Sequence, residues 1–172
     1  MGYTAGVITL SDKGFAGQRE DISGQAVKDI LENQGFEVKY KTILPDDFEK
    51  IKEKLIECSD KMKLDLICTT GGTGFSKRDI TPEATLAVVE RLARGIPEAM
   101  RAESMKKTSR AILSRAEAGI RGESIIVNLP GSEKAVKECL GAVIESLKHG
   151  IEILKGEASE CAGHIHREER AK

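Results

Sequence analysis

The sequence predicts an α/β domain built from βαβ units, and three observations carry that expectation. Apolar runs alternate with amphipathic segments from end to end, which is the pattern of strands joined by crossover helices. A glycine-rich stretch sits between an apolar run and a well-signalled helix start, as in a strand-to-helix ligand loop. At 172 residues, with no internal repeat and no low-complexity linker, the chain has the length of one domain able to bury a core.

The first strand spans about Thr4 to Leu10, followed by the turn Ser11-Asp12-Lys13-Gly14 and a loop through Asp21. Ser23 is the expected N-cap of a helix that carries Val27, Ile30 and Leu31 on one face and closes at Gly35. From Phe36 to Leu44, Glu37, Lys39 and Lys41 alternate with Phe36, Val38 and Tyr40, a half-exposed strand near a sheet edge. Pro45-Asp46-Asp47 opens the next helix, with Asp46 as its natural cap and Phe48, Ile51 and Leu55 facing inward. The run Leu64 to Thr70 reads as a buried strand. Helices are then expected from Pro82 to about Arg94 and from Pro97 to about Lys106, each with proline near its start. Ala111 to Glu123 has no clear period, but Arg121-Gly122-Glu123 reads as a hairpin turn into the strand Ser124 to Leu129. Pro130-Gly131-Ser132 then caps a helix with Val136, Leu140, Val143, Ile144 and Leu147 in one apolar stripe.

Composition excludes several functions. Lys plus Arg number 27 and Asp plus Glu 28, a formal charge of -1, so the whole chain has no electrostatic case for nucleic acid or an anionic membrane. Aromatic residues are 3% and Trp is absent, which leaves no stacking platform for single strands. Met1 to Thr4 enters a strand-like run without a basic or long apolar leader, and no stretch has the length to span a bilayer. The expectation is a soluble, cytoplasmic protein. Cys58, Cys68, Cys139 and Cys161 show no paired C-x-x-C spacing and read as reduced, mostly buried small hydrophobes.

The glycine loop, Gly71-Gly72-Thr73-Gly74-Phe75-Ser76-Lys77-Arg78-Asp79, is neither a dinucleotide nor a Walker A signature. Lys77 stands where G-x-G-x-x-G needs its third glycine, and Ser76-Lys77 is in the wrong order for Gly-Lys-Ser/Thr. Its glycines still let backbone N–H groups approach a phosphate, with Lys77 and Arg78 beside them to neutralise charge. In a mainly parallel sheet, Ser11-Asp12, Asp46-Asp47, Gly71 to Asp79 and Asn128 to Ser132 would all lie at the C-terminal edge, where ligands of open α/β sheets bind. Asp46 is equally well explained as a cap, and Asp12 as an Asx-turn residue. Asp79 differs, because Thr81 before Pro82 fits the cap position and leaves Asp79 without a structural task.

Thr69-Thr70-Gly71-Gly72-Thr73-Gly74, followed by Arg78-Asp79-Ile80-Thr81-Pro82-Glu83-Ala84, resembles the signature of the molybdenum cofactor proteins of the MogA/MoaB group. The likeness extends to Ser11-Asp12, Leu44-Pro45-Asp46, Ala111 to Arg115, Ala118 to Gly122 and Asn128 to Ser132, covering about residues 4 to 156. After Ala111 the chain is more similar to MogA and gephyrin-type G domains than to MoaB. The resemblance implies a three-layer α/β/α domain with a mainly parallel central sheet, usually a homotrimer, that transfers AMP from ATP to molybdopterin.

Matched residue by residue, the resemblance implies functional aspartates at Asp46 and Asp79, holding Mg²⁺. It implies binding loops at Gly71, Gly72, Thr73 and Gly74 and at Asn128, Pro130 and Gly131, with Ser11, Asp12 and Ser114 lining the pocket and Lys77 or Arg78 on the phosphates. It also implies other molybdenum cofactor biosynthesis proteins as partners. The attacking molybdopterin phosphate is anionic near neutral pH, so the absence of a His or Cys near these loops is no objection. Two alternatives stay open on the residues: a non-catalytic molybdopterin-binding module and a trimeric partner-binding scaffold. Residues 1–156 form the expected domain and 157–172 a polar tail, in which Cys161, His164 and His166 make a C-x-x-H-x-H cluster with little rigid geometry for a metal.

Overall fold

A computed structural model describes residues 2–157. The Cys161, His164 and His166 cluster lies outside the described residues. In chain order the elements are β1 (Thr4–Leu10), a one-turn α1 (Asp12–Phe15), α2 (Ile22–Asn33), β2 (Glu37–Leu44), α3 (Phe48–Ile56) running into a π-helical turn (Glu57–Lys61), and β3 (Leu66–Thr70). There follow α4 (Thr81–Leu86), β4 (Arg91–Leu92), α5 (Gly95–Met105), a 3₁₀ turn (Ser109–Leu113), β5 (Ala118–Arg121), β6 (Ser124–Leu129) and α6 (Glu133–Leu154).

The six strands form one sheet in the order β2-β1-β3-β6-β5-β4. β2, β1, β3 and β6 are mutually parallel, and β5 runs antiparallel to both β6 and β4. The apolar runs are continuous because helices cover both faces of the sheet. Ala5, Val7, Leu66, Cys68, Ile125, Val127 and Leu129 pack with α2, α5 and α6, whereas Ile8, Leu10, Ile67 and Ile126 pack with α3 and α4. The three-layer α/β/α architecture follows. Among the described residues, no helix is long and apolar enough to cross a membrane.

Local expectations change where neighbouring residues compete for one job. The N-cap of α2 is Asp21, whose carboxylate accepts from the Gly24 N–H at 2.9 Å, so Ser23 lies inside the first turn. A carboxylate at that end also gains from the helix dipole. The cap of α3 is Asp47, which accepts from the Lys50 N–H at 3.0 Å; Asp46 is left outside the helix. Thr81 is the first residue of α4 rather than its cap, and Ile80 in the cap position makes no side-chain bond. The helix expected to reach Arg94 ends at Leu86. Val88 and Val89 are β-branched and disfavour helix, and the edge of β5 takes the backbone: Glu90 N–H donates to Ile120 O at 2.8 Å and Ala93 N–H to Ala118 O at 2.9 Å. The expected hairpin at Gly122 is present, with φ +54°. Cys58, Cys68 and Cys139 are buried free thiols.

Candidate functional site

Strand order decides that the loops meet. From β1 the chain goes to β2 on one side and then to β3 on the other, so the C-terminal ends of β1 and β3 flank a topological switch point, where open α/β sheets bind ligands. The register places Leu10 beside Leu44, Thr9 beside Thr70 and Thr70 beside Leu129. Ser11-Asp12, Asp46, Gly71 to Asp79 and Pro130-Gly131 therefore leave the sheet side by side.

The glycine loop is packed too closely for side chains. Gly71 and Gly72 have φ +100° and +65°, the left-handed region that glycine enters without steric cost. A Cβ on Gly71 would stand 2.4 Å from Leu10 O, and one on Gly72 would stand 2.3 Å from Thr81 Oγ1 and 3.2 Å from Asp46 Oδ1. The loop is tied down by Gly71 N–H to Leu129 O at 3.1 Å, Thr81 hydroxyl to Gly71 O at 3.0 Å, and Thr70 hydroxyl to Pro130 O at 2.7 Å. Gly131 completes the contact, with room for a Cβ only 3.3 Å from Gly71 Cα.

Three carboxylates and a guanidinium occupy the open side. Arg78 grips Asp12 with two bonds, Nε to Oδ2 at 3.0 Å and Nη2 to Oδ1 at 2.8 Å. That hydrogen bonding, aided by the Asp46 N–H, holds the Asp12 carboxyl below its ordinary range. Asp46 is pushed the other way, first by burial and then by the neighbouring Asp12 and Asp79 charges. A half-buried carboxylate beside two others is an arrangement that a cation would relieve. Asp79 has the structural task the sequence did not disclose: its Oδ2 accepts from the Ser76 N–H at 2.9 Å, and its own N–H donates to Ser76 O at 2.9 Å, closing a turn. Lys77 is exposed on the rim.

The remaining expected residues divide into lining and support. Ser11 caps α1 by accepting from the Gly14 N–H at 3.0 Å. Gly131 and Ser11 line a polar cleft of about 300 Å³ that also reaches Thr9, Asp21 and Gly71. Pro130 and Ser114 line a mainly apolar cleft of about 240 Å³ between α5, the 3₁₀ turn and α6. Asn128 is fully buried. Its amide donates to Thr69 Oγ1 at 3.0 Å and Thr85 Oγ1 at 2.8 Å and accepts from Glu117 N–H at 3.1 Å. It buttresses the loops from beneath. Arg115, which sequence reasoning did not single out, donates to Gly74 O at 2.7 Å and Asp79 O at 2.5 Å and pairs with Glu83.

Among the described residues no group of three or more His, Cys, Asp or Glu side chains is placed to hold a metal by itself. Two hard carboxylates on the loops after β2 and β3, Asp46 against Gly72 and Asp79 against Gly74, suit a hard divalent cation that takes its other ligands from water and a bound phosphate. The residues fit Mg²⁺ on that basis.

A family profile described as a probable molybdopterin binding domain matches residues 6–149. The chain is 42% identical over 154 residues to the molybdopterin adenylyltransferase of Helicobacter pylori J99, covering 88% of this chain and 87% of that protein. It is 38% identical to the molybdopterin adenylyltransferase of Escherichia coli K12, covering 85% of this chain and 78% of that one. Gephyrin of Dictyostelium discoideum is 36% identical across 96% of this chain, which corresponds to 24% of gephyrin. The solved structure of MoaB from Thermus thermophilus has a TM-score of 0.85 at 43% identity, covering 90% of this chain and 97% of that one. A MogA structure has 0.83 at 32%, covering 88% and 99%.

Proposed function

The chain belongs to the family of the probable molybdopterin binding domain, and from that membership we propose that it is a molybdopterin adenylyltransferase of molybdenum cofactor biosynthesis. It moves AMP from ATP to the terminal phosphate of molybdopterin and releases pyrophosphate. The observation that carries this is the pairing of Asp46 and Asp79 around a glycine loop at the sheet's switch point, in a chain 42% identical to a protein named for that activity.

An oxygen of the molybdopterin phosphate attacks the α-phosphorus of ATP, a new P–O–P bond forms, and the bond from the α-phosphorus to the bridging oxygen breaks as pyrophosphate departs. No proton has to move, so the site needs positioning and charge control rather than a general base. The N–H groups of Gly72, Thr73 and Gly74 are the donors we assign to the transferring phosphoryl, because among the described residues they donate to no carbonyl, unlike Gly71 N–H, which is bonded to Leu129 O. Lys77, on the rim, supplies positive charge to the pyrophosphate end. Arg78 orients Asp12, which in turn holds Asp46 through the Asp46 N–H. Mg²⁺ on Asp46 and Asp79 would offset the repulsion between the two substrates' phosphates. Asn128 and Pro130-Gly131 hold the wall between the two clefts, and Ser114 lines the apolar one. We further infer a cytoplasmic homotrimer that hands its product to other molybdenum cofactor biosynthesis proteins.

Incubation with ATP, Mg²⁺ and molybdopterin tests the proposal. Adenylated molybdopterin and pyrophosphate should accumulate together, and chelation of the metal should stop both. Molybdopterin binding without product would assign the chain to non-catalytic binding, and absence of binding would leave the scaffold role.

A further inference from the structure

Asp79 lies five residues beyond the last tight glycine, on a stretch that includes exposed Phe75, Ser76, Lys77 and Arg78. Its turn with Ser76 is local and gives no purchase on the rest of the molecule. Arg78 ties the outer part of the stretch to Asp12, and the backbone of Asp79 itself is held by a second distant side chain. Arg115, just past the 3₁₀ turn, donates its main-chain N–H to Thr73 O at 2.9 Å, Nε to Gly74 O at 2.7 Å and Nη2 to Asp79 O at 2.5 Å, and pairs Nη1 with the Glu83 carboxylate on α4. Both ends of the segment from Gly74 to Asp79 are thus pinned to a single planar group.

We propose that Arg115 is the positioning residue that sets where the Asp79 carboxylate stands in the site. The guanidinium presents its donors in a fixed fork, so the distance between Gly74 O and Asp79 O is held by a rigid body rather than by a flexible loop. Glu83 anchors that body to the first turn of α4, where an acidic residue also suits the helix N-terminus. Nε, Nη1 and Nη2 each give one N–H to Gly74, Glu83 and Asp79, so the role assigned to Arg115 is to act through Asp79, and the double-mutant cycle below separates that role from a direct contact with substrate phosphate. A lysine would keep the charge and lose the fork.

The role in turnover rests on the adenylyltransferase proposal, whereas the clamp itself does not, so the test has two arms. In the first, hydrogen exchange is measured on the full chain. Arg115→Lys, Arg115→Ala and Glu83→Gln should speed exchange of the Ser76 and Asp79 amides by about tenfold or more while β1, β3 and β6 keep their protection. Unchanged exchange at those amides in Arg115→Ala would overturn the clamp. In the second arm, adenylyl transfer is measured in a double-mutant cycle. Arg115→Lys should lower kcat by roughly 30-fold and raise the Mg²⁺ concentration for half-maximal rate, yet cost less than about threefold in an Asp79→Asn background. Equal losses in both backgrounds would mean that Arg115 acts independently of Asp79, and would overturn the proposal. If the unmodified protein transfers no AMP, the functional proposal fails, and exchange alone still decides whether Arg115 holds Asp79.

Discussion

Asp12 and Asp46 hold each other reciprocally: the Asp12 N–H donates to Asp46 Oδ2 at 3.2 Å and the Asp46 N–H donates to Asp12 Oδ1 at 3.0 Å. The loops after β1 and β2 are joined by this exchange, with each carboxylate accepting from the other's backbone. Asp12 spends its remaining capacity on Arg78, while Asp46 keeps an oxygen beside Gly72 and the path to Asp79.

That division predicts different outcomes for adjacent aspartates. Asp46→Asn and Asp79→Asn preserve size and much of the hydrogen bonding but remove the charge that a divalent cation requires. Each should cut adenylyl transfer by roughly a hundredfold or more, with molybdopterin binding retained and the thermal midpoint little moved. Asp47→Ala should do the reverse, lowering stability by about 1 kcal/mol through loss of the α3 cap and sparing turnover per folded molecule. Turnover, molybdopterin affinity and urea unfolding on the three variants check this; full activity in folded Asp79→Asn would remove Asp79 from the chemistry.

Asn128 should behave as a support. Substitution by Ala leaves the Glu117 N–H and two buried threonine hydroxyls without their partner, at a cost of about 2–4 kcal/mol. Urea unfolding of Asn128→Ala measures that loss. A variant of unchanged stability that has lost only substrate affinity would instead place the Asn128 amide on the ligand.

The core thiols predict a pH and reactivity signature. Burial pushes Cys68 up to about 12 and Cys58 up to about 11, from 9.0 in the open chain. The unfolded chain therefore releases protons first, and stability should fall as the pH rises above about 9. At pH 8 a thiol shifted to about 12 is thiolate in only about one molecule in ten thousand, so alkylation of Cys68 requires opening of the fold. Peptide mapping after iodoacetamide treatment, with and without urea, tests this. Equal modification of Cys68 under both conditions would contradict its burial.

Much of the scaffold was legible because its signals are local. The central parallel strands are buried on both faces, so Thr4–Leu10 and Ser124–Leu129 stand out as mainly apolar runs without the charged alternation of β2. The half-polar alternation of β2 marked it as an edge strand, and its outermost position in the sheet agrees with that marking. Gly71-Gly72 next to a proline-started helix disclosed a backbone-lined loop, and Pro45-Asp46 disclosed an acidic turn.

By itself, then, the sequence determined β1, β2, β3 and β6, most helices, the glycine loop and the identity of the acidic residues, because periodicity and turn chemistry act over a few neighbours. Tertiary structure decided what depends on distant partners. It chose Asp47 over Asp46 as the α3 cap, since Asp46 is engaged with Asp12 across 34 residues. It turned Arg91–Leu92 into a strand, since the edge of β5 offered carbonyls that no local pattern records. It set β1 between β2 and β3, which brings the loops to one crevice, and it placed Arg115 on Asp79, 36 residues away. Each of these is a choice between hydrogen-bond partners of similar local worth, and only the packed sheet fixes which partner is within reach.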